Sequence, residues 1–131
     1  MTYMEMVIDE TLRMYPPVVR TDRVCNKDYQ YENIKLEAGQ IWSVPIYALH
    51  HDPDIYPNPE QFDPERFSDE NKKTRDNSAA FIPFGSGPRS CIGMRFALIE
   101  IKLLLSVILR KYTFEKCEKT LVSLVFDLKF F

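Results

Sequence analysis

The sequence predicts a mainly α structure with a small β region, and one that lacks part of its own core. Three observations support this fold class: a long apolar helix over residues 92–110, a short helix near the N-terminus, and two strand-like segments between them. The long helix is apolar on nearly all sides, which is typical of a helix that is buried all round. One short helix and a few strands cannot cover it, so the chain is expected to be a piece of a larger fold.

The first helix is predicted to run from Thr2 to Leu12. Thr2 and Glu5 have the spacing of a capping box, in which each side chain accepts a hydrogen bond from a free backbone N–H at the helix start. The helix should end before Pro16 and Pro17, because a residue that precedes proline disfavours helical backbone geometry.

The β region is predicted to be a hairpin. Residues 29–36 alternate loosely between polar and apolar side chains, and residues 40–48 follow as a more buried strand after a turn at residues 37–39. Pro45 should place the second strand at an edge or a bulge, because proline has no backbone N–H to donate to a neighbouring strand.

Residues 50–67 contain four prolines and should form neither a regular helix nor a strand. Apolar side chains in this proline-rich loop are expected to anchor it to the core, namely Ile55, Tyr56, Phe62 and Phe67. After the long helix, strand-like segments lie near residues 112–114 and 121–126.

The formal net charge of −2 excludes a strongly basic nucleic-acid-binding protein, so no nucleic acid is expected as a partner. The charge is uneven, because residues 1–88 carry 9 Lys and Arg against 15 Asp and Glu, whereas residues 89–119 carry 7 against 3. The basic segment, which includes Arg95 and Lys102, is either the solvated side of a helix or a docking face for an acidic partner or acidic cofactor groups.

The three cysteines, Cys25, Cys91 and Cys117, are odd in number and irregularly spaced, which argues against a disulfide framework. The sequence has no CxxC motif and no Cys/His cluster, so a zinc site is not expected. The longest uncharged run in the apolar helix is the seven residues Leu103–Leu109. That is far short of the ~20 residues that cross a bilayer.

Cys91 lies at the start of the long helix, within the segment FGSGPRSCIG. The positive end of a helix dipole and its free N–H groups stabilise a thiolate, and Arg89 adds a positive charge. Gly85, Gly87 and Gly93 allow the backbone to approach a large flat group. From the residues alone, three interpretations stay open: a buried structural cysteine, which is the commonest case, a phosphate-binding loop, and a thiolate ligand of haem iron. The phosphate loop is disfavoured because the segment lacks a GK[ST] ending.

The ten residues Phe84–Gly93 match the pattern F-x-x-G-x-R-x-C-x-G at every fixed position, and in this the sequence resembles the cytochrome P450 family. Glu10–Arg13 is similar to the family's E-x-x-R motif, and Pro64–Phe67 to its P-E-R-F motif. The three motifs occur in the family's order, and together they are far more specific than any one of them. Residues 47–50 and 93–98 resemble animal microsomal members that metabolise drugs and xenobiotics.

The resemblance implies a site for haem b, that is, iron protoporphyrin IX. Cys91 would be the axial thiolate ligand of the iron, and Phe84 and Gly93 would lie beside the haem. Arg89 would pair with a haem propionate, and Arg23 would pair with a second one unless it is an ordinary surface arginine.

The resemblance also assigns Glu10, Arg13 and Arg66 to a buried structural network, in which Arg66 locks the proline-rich loop to the first helix. Three further positions fall where the family lines its substrate pocket: Val18, Val19 and Thr21. Ordinary strand packing explains the two valines nearly as well.

By the same resemblance, residues 1–131 are part of a cytochrome P450 domain: the E-x-x-R helix, the proline-rich meander, the haem-binding cysteine loop and the helix that follows. This would be the C-terminal part of the mainly helical P450 fold, incomplete and inactive alone. The whole protein would be a monooxygenase that inserts oxygen from O2 into a small lipophilic substrate. Its electrons would come from an NADPH-dependent flavoprotein reductase, with cytochrome b5 as a second candidate donor.

An N-terminal segment absent here would hold that protein at the cytoplasmic face of the endoplasmic reticulum membrane. Two alternatives stay open: a non-catalytic haem-binding fragment, and a haem-thiolate isomerase or dehydratase that uses no reductase. An acid–alcohol pair in a long upstream helix would favour the monooxygenase over both.

Overall fold

A computed structural model of the chain describes residues 2–71 and 79–120. Helix α1 spans Tyr3–Met14 and begins as predicted, because the backbone N–H of Thr2 donates to the Glu5 carboxylate at 3.1 Å. It ends two residues later than predicted and still before the proline pair. One face of α1 is buried, and that face carries two charged residues beside its apolar ones: Met6, Ile8, Glu10, Arg13 and Met14.

Four short strands follow: β1 (Thr21–Val24), β2 (Tyr29–Tyr31), β3 (Ile34–Leu36) and β4 (Ile41–Val44). The predicted hairpin between residues 29–36 and 40–48 is wrong. Instead, β2 pairs with β3, and β4 pairs antiparallel with β1 in a separate two-stranded sheet.

The β2–β3 hairpin therefore lies within the connection from β1 to β4. Glu32 turns the chain between β2 and β3 with a φ of 50°. Around the base of this insertion, Cys25 N–H donates to the Gln40 carbonyl at 2.9 Å, and Gly39 N–H donates to the Cys25 carbonyl at 2.7 Å. Gly39 has a φ of 86°, a conformation that glycine adopts without steric cost.

The strand expected over residues 40–48 stops at Val44, because Pro45 leads into helix α2, Ile46–His50. In the described residues β4 has a partner on one side only, so Pro45 follows an edge strand, as predicted. Residues 51–63 form turns, and Pro64–Phe67 form a 3₁₀ turn whose N-terminus is capped by the Asp63 carboxylate.

The proline-rich loop is anchored by two of the four apolar residues expected to do so. Tyr56 and Phe67 are buried, and Ile55 is half-buried. Phe62 is 47% exposed and does not anchor the loop.

Helix α3 spans Met94–Leu109, which confirms the long apolar helix. None of its residues is buried, and Phe96, Ile99 and Leu103 are each more than 60% exposed. As expected, the other segments within residues 2–71 and 79–120 leave this helix largely uncovered. Over residues 2–71 and 79–120, the structure contains no helix with the length and apolarity to span a bilayer.

After α3, residues 112–114 form no strand, contrary to prediction, and the predicted strand at 121–126 lies outside the described residues. The described ranges combine helices with small antiparallel sheets. They form a mixed α and β structure, not the clearly mainly α one that the sequence predicted.

Candidate functional site

A buried carboxylate–guanidinium pair lies on α1. Glu10 and Arg13 are three residues apart and fully buried. Arg13 Nε donates to Glu10 Oε2 at 2.7 Å, and Arg13 Nη2 donates to Glu10 Oε1 at 2.9 Å. Two parallel bonds of this kind are the strongest arrangement available to an arginine and a carboxylate.

The remaining donors of Arg13 connect α1 to two other segments. Nη1 donates to the carbonyl of His50 at 2.8 Å, and Nη2 donates to the carbonyl of Pro59 at 2.7 Å. The guanidinium carbon also lies 5.4 Å from the centre of the Tyr56 ring. Arg13 thereby holds together α1, the end of α2 and the proline-rich loop.

Arg66 reaches the same carboxylate from the 3₁₀ turn. Its Nε lies 3.5 Å from Glu10 Oε1, and its Nη2 donates to the Asn58 carbonyl at 2.9 Å. Glu10 Oε1 also accepts from the backbone N–H of Asp63 at 2.9 Å. The structure thus brings Glu10, Arg13 and Arg66 together, although Arg66 is bound less closely than Arg13.

His50 is a member of this buried cluster that the sequence analysis did not identify. Its ring is fully buried, with Nδ1 at 3.1 Å from the Arg13 carbonyl. The backbone N–H of Ile82 donates to His50 Nε2 at 3.1 Å. Because Nε2 accepts that bond, the ring proton must be on Nδ1, where it donates to the carbonyl. The sequence analysis gave His50 no role of its own, although residues 47–50 carried part of the family resemblance.

Burial lowers the pKa of His50 from its ordinary 6.5 to about 4, and the positive charges of Arg13 and His51 act in the same direction. Its hydrogen bond to the Arg13 carbonyl opposes this effect without overcoming it. The ring is therefore neutral near pH 7, as its two hydrogen bonds require.

The cysteine loop is held in shape by its own backbone. Gly85 and Gly87 have φ values of 76° and 73°, in the left-handed region that favours glycine. The N–H of Gly85 donates to the Ile82 carbonyl at 2.9 Å, and the N–H of Cys91 donates to the Phe84 carbonyl at 2.8 Å. Residues Gly87–Arg89 form a 3₁₀ turn inside this loop.

The Cys91 residue is exposed at the end of the loop, three residues before α3 begins at Met94. A Cβ at Gly93 would lie 3.9 Å from the sulfur, so glycine there leaves one side of the sulfur open. Ile92 is fully exposed beside it, and Phe96 is 72% exposed. An open thiol next to exposed apolar side chains suits a large, flat, apolar group that binds through the sulfur.

Of the other predicted haem-contacting residues, Phe84 and Arg89 belong to this loop and Arg23 lies on β1. Phe84 is half-buried and Arg89 is exposed. In the part of the chain that the structure describes, Arg89 forms no ion pair with a carboxylate. The guanidinium of Arg23 bonds within its own strand, to Thr21 Oγ1 and to the Asp22 carbonyl, each at 2.8 Å.

The three predicted pocket residues follow α1. Val18 is half exposed, and Val19 is half-buried, with its carbonyl accepting from the Tyr47 N–H at 3.0 Å. Thr21 begins β1, and its hydroxyl accepts from Arg23. Val18 is thus exposed, whereas Val19 and Thr21 are half-buried.

The two basic residues Arg95 and Lys102 have different environments in the structure. Lys102 Nζ lies 2.5 Å from Glu5 Oε1, an ion pair between α3 and α1, and this bond lowers the pKa of Glu5. Arg95, in the first turn of α3, is exposed to solvent. Of the two basic residues singled out, only Arg95 keeps its charge available to a partner.

No group of three or more His, Cys, Asp or Glu side chains that could hold a metal ion occurs in residues 2–71 and 79–120.

Comparison with known proteins identifies the family of the chain. The family model described as Cytochrome P450 matches residues 1–129. The chain is 48% identical over 124 residues to Cytochrome P450 3A2 of Rattus norvegicus, which covers 95% of this chain and 24% of that protein. It is 53% identical over 125 residues to Cytochrome P450 9e2 of Blattella germanica, covering 92% of this chain and 23% of that protein. The chain thus spans about a quarter of the length of the curated relatives it matches.

Proposed function

Since the chain belongs to the cytochrome P450 family, we propose that it forms the C-terminal, haem-binding part of a haem-thiolate monooxygenase. The observation that carries this proposal is that Cys91 is exposed at the end of a glycine-rich loop, just before α3. The loop is held in shape by the bond from Cys91 N–H to the Phe84 carbonyl. Residues 1–131 would be one partial P450 domain, within a parent fold that is mainly helical.

In this proposal Cys91 is the axial ligand of the iron of haem b. A bound haem supplies the site at which O2 is activated, and an axial thiolate favours O–O cleavage there. Gly93 leaves room beside the sulfur, and Phe84 would pack beside a bound haem and then shield the sulfur from water. Arg89 and Arg23 would bind the propionates, for which Arg23 would have to leave its bonds within β1.

Glu10, Arg13 and Arg66 would be structural residues. Their network joins α1 to the proline-rich loop and so supports the segment that leads to the cysteine. None of them is proposed to contact the substrate.

The proposed reaction uses O2, two electrons and two protons to convert a C–H bond of a small lipophilic substrate to C–OH, with one water molecule as the second product. The electrons come from NADPH through a flavoprotein reductase or cytochrome b5. Exposed Arg95 is the basic residue best placed to meet an acidic partner. Val18, Val19 and Thr21 would border the substrate, and the enzyme would act at the cytoplasmic face of the endoplasmic reticulum membrane.

The chain by itself is proposed to be inactive. The exposed apolar side chains of α3 support this, because in a complete P450 domain other segments would have to cover them.

The test is the reduced carbon monoxide difference spectrum of the full-length protein. We expect the red-shifted band of a thiolate ligand in the wild type and in Cys117→Ser, whose exposed cysteine is the matched control. Cys91→Ser should lose the band. A band that survives in Cys91→Ser would overturn the ligand assignment.

A second measurement separates the monooxygenase from an isomerase or dehydratase. Turnover under 18O2 with reductase and NADPH should place one labelled oxygen atom in the product. Turnover without reductase, or product without label, would contradict the monooxygenase.

A further inference from the structure

His50 connects two parts of the molecule that lie far apart in the sequence. On one side its Nδ1–H donates to the carbonyl of Arg13 at 3.1 Å, at the end of α1. On the other side its Nε2 accepts from the backbone N–H of Ile82 at 3.1 Å. The ring is fully buried, and so is its bond to the Arg13 carbonyl, whereas its bond to Ile82 N–H is part-buried.

The same ring packs on the aromatic residue beside Ile82. The His50 and Phe81 rings are stacked with centroids 5.5 Å apart, and Phe81 lies 4.9 Å from the ring of Phe67. His50 therefore holds the segment at residues 81–82 both by a hydrogen bond and by a ring contact.

From Ile82 a short series of backbone bonds continues to the cysteine. The Ile82 carbonyl accepts from Gly85 N–H at 2.9 Å, and the Phe84 carbonyl accepts from Cys91 N–H at 2.8 Å. Pro83 between them has no N–H to donate. A shift of Ile82 would consequently be passed to the backbone that presents the sulfur.

We propose that His50 is a positioning residue for the cysteine loop: its neutral ring ties the Arg13 end of α1 to Ile82 and thereby sets the place of the Cys91 sulfur. This role rests on the proposed function, because it assumes that Cys91 binds haem iron. The role of His50 differs from that of the Glu10–Arg13–Arg66 network, because His50 contacts residues 81–82, the backbone segment just before the cysteine loop.

Two substitutions separate the two hydrogen bonds. In His50→Gln the side-chain amide reaches the position of Nε2 and can still accept from Ile82 N–H. In His50→Asn the shorter amide reaches only the position of Nδ1, so it can donate to the Arg13 carbonyl but leaves Ile82 N–H unpaired. Both remove the ring that stacks on Phe81, so they differ in which bond is kept: the Ile82 bond in His50→Gln and the Arg13 bond in His50→Asn. Exchange at the Ile82 amide then reports the Ile82 bond.

The experiment compares these variants in the full-length, haem-loaded protein by amide hydrogen exchange and by the reduced carbon monoxide spectrum. In His50→Asn the Ile82 amide should exchange about tenfold faster than in His50→Gln, as expected for the loss of one net hydrogen bond. His50→Asn should also lose a larger fraction of the thiolate-type band. His51→Asn and His51→Gln are the matched controls, because the exposed bond of the His51 ring goes to the Tyr47 carbonyl in the adjoining helix and the ring stacks on Tyr47, and both should behave as the wild type.

Equal spectra and equal Ile82 exchange in the two His50 variants, with a thiolate band in the wild type, would overturn the positioning role alone. A wild type without that band would overturn the proposed function as well. If neither His50 variant accumulates, the wild type decides: slow exchange at Ile82 at neutral pH supports the bond to His50, and exchange at the rate of an unfolded peptide overturns it.

Discussion

Replacement of Arg13 by alanine removes a buried side chain that forms hydrogen bonds with α1, the end of α2 and the proline-rich loop. Arg13 makes two bonds to Glu10 and further bonds to the carbonyls of His50 and Pro59. In Arg13→Ala the Glu10 carboxylate stays buried, with Asp63 N–H at 2.9 Å and a guanidinium nitrogen at 3.5 Å as its remaining partners.

The expected loss of stability follows from that geometry. Breaking a buried ion pair by removing one partner costs about 3–5 kcal/mol, because the other charge is left uncompensated. The buried carbonyl of His50 would also lose its donor, at about 1–3 kcal/mol, and the part-buried carbonyl of Pro59 would lose less. Since a folded domain is stable by only about 5–15 kcal/mol, Arg13→Ala should prevent the full-length protein from incorporating haem.

The assay is the ratio of haem to protein in the purified full-length variant, together with its reduced carbon monoxide spectrum. Arg20→Ala, at an exposed arginine just before β1, is the matched control and should keep a normal ratio. Arg13→Lys should fall between the two, because it keeps the charge and loses the planar fork. A normal haem content and spectrum in Arg13→Ala would refute the reasoning.

Two further predictions concern pH and salt. Because the pKa of His50 falls from 6.5 to about 4 on folding, the unfolded chain takes up a proton between those values that the folded protein does not. Lowering the pH from 7 to 4 should therefore remove at most about 3 kcal/mol from the free energy of unfolding. Urea titrations should show this loss in the wild type and a smaller one in His50→Gln; equal losses would contradict it. Arg95→Gln should slow reductase-driven turnover more at low than at high salt, since salt screens exposed charges. Lys102→Gln should respond less to salt, because Lys102 is already paired with Glu5, and an Arg95 effect independent of salt would count against a docking face.

Local patterns in the sequence were sufficient to predict the positions of the two long helices, α1 and α3. The capping pair at residues 2 and 5 and the following prolines bounded α1 to within two residues. The apolar run at 92–110 predicted α3, and the glycines at 85 and 87 marked the turn-rich loop before it. Each of these signals acts between residues a few positions apart, so nothing distant is needed to interpret it.

The strand pairing could not be predicted in the same way. β2 and β3 meet across Glu32 and Asn33, a pair without the glycine that usually marks a two-residue hairpin turn. β1 and β4 meet only after that hairpin has closed between them. Which strands pair depends on contacts across the whole insertion, and the turn at residues 37–39 therefore suggested the wrong partner.

In the candidate site, too, local sequence patterns predicted some features and contacts between distant residues decided the others. The sequence by itself determined that Glu10 and Arg13 share a helix face and that Cys91 follows a glycine-rich loop before a helix, because spacing within one element decides both. Only the tertiary structure decided that His50 is buried between α1 and Ile82, and that Lys102 pairs with a residue on α1. Those contacts join residues 32 to 97 positions apart. They form only when separate elements pack, and no local pattern of residues records that packing.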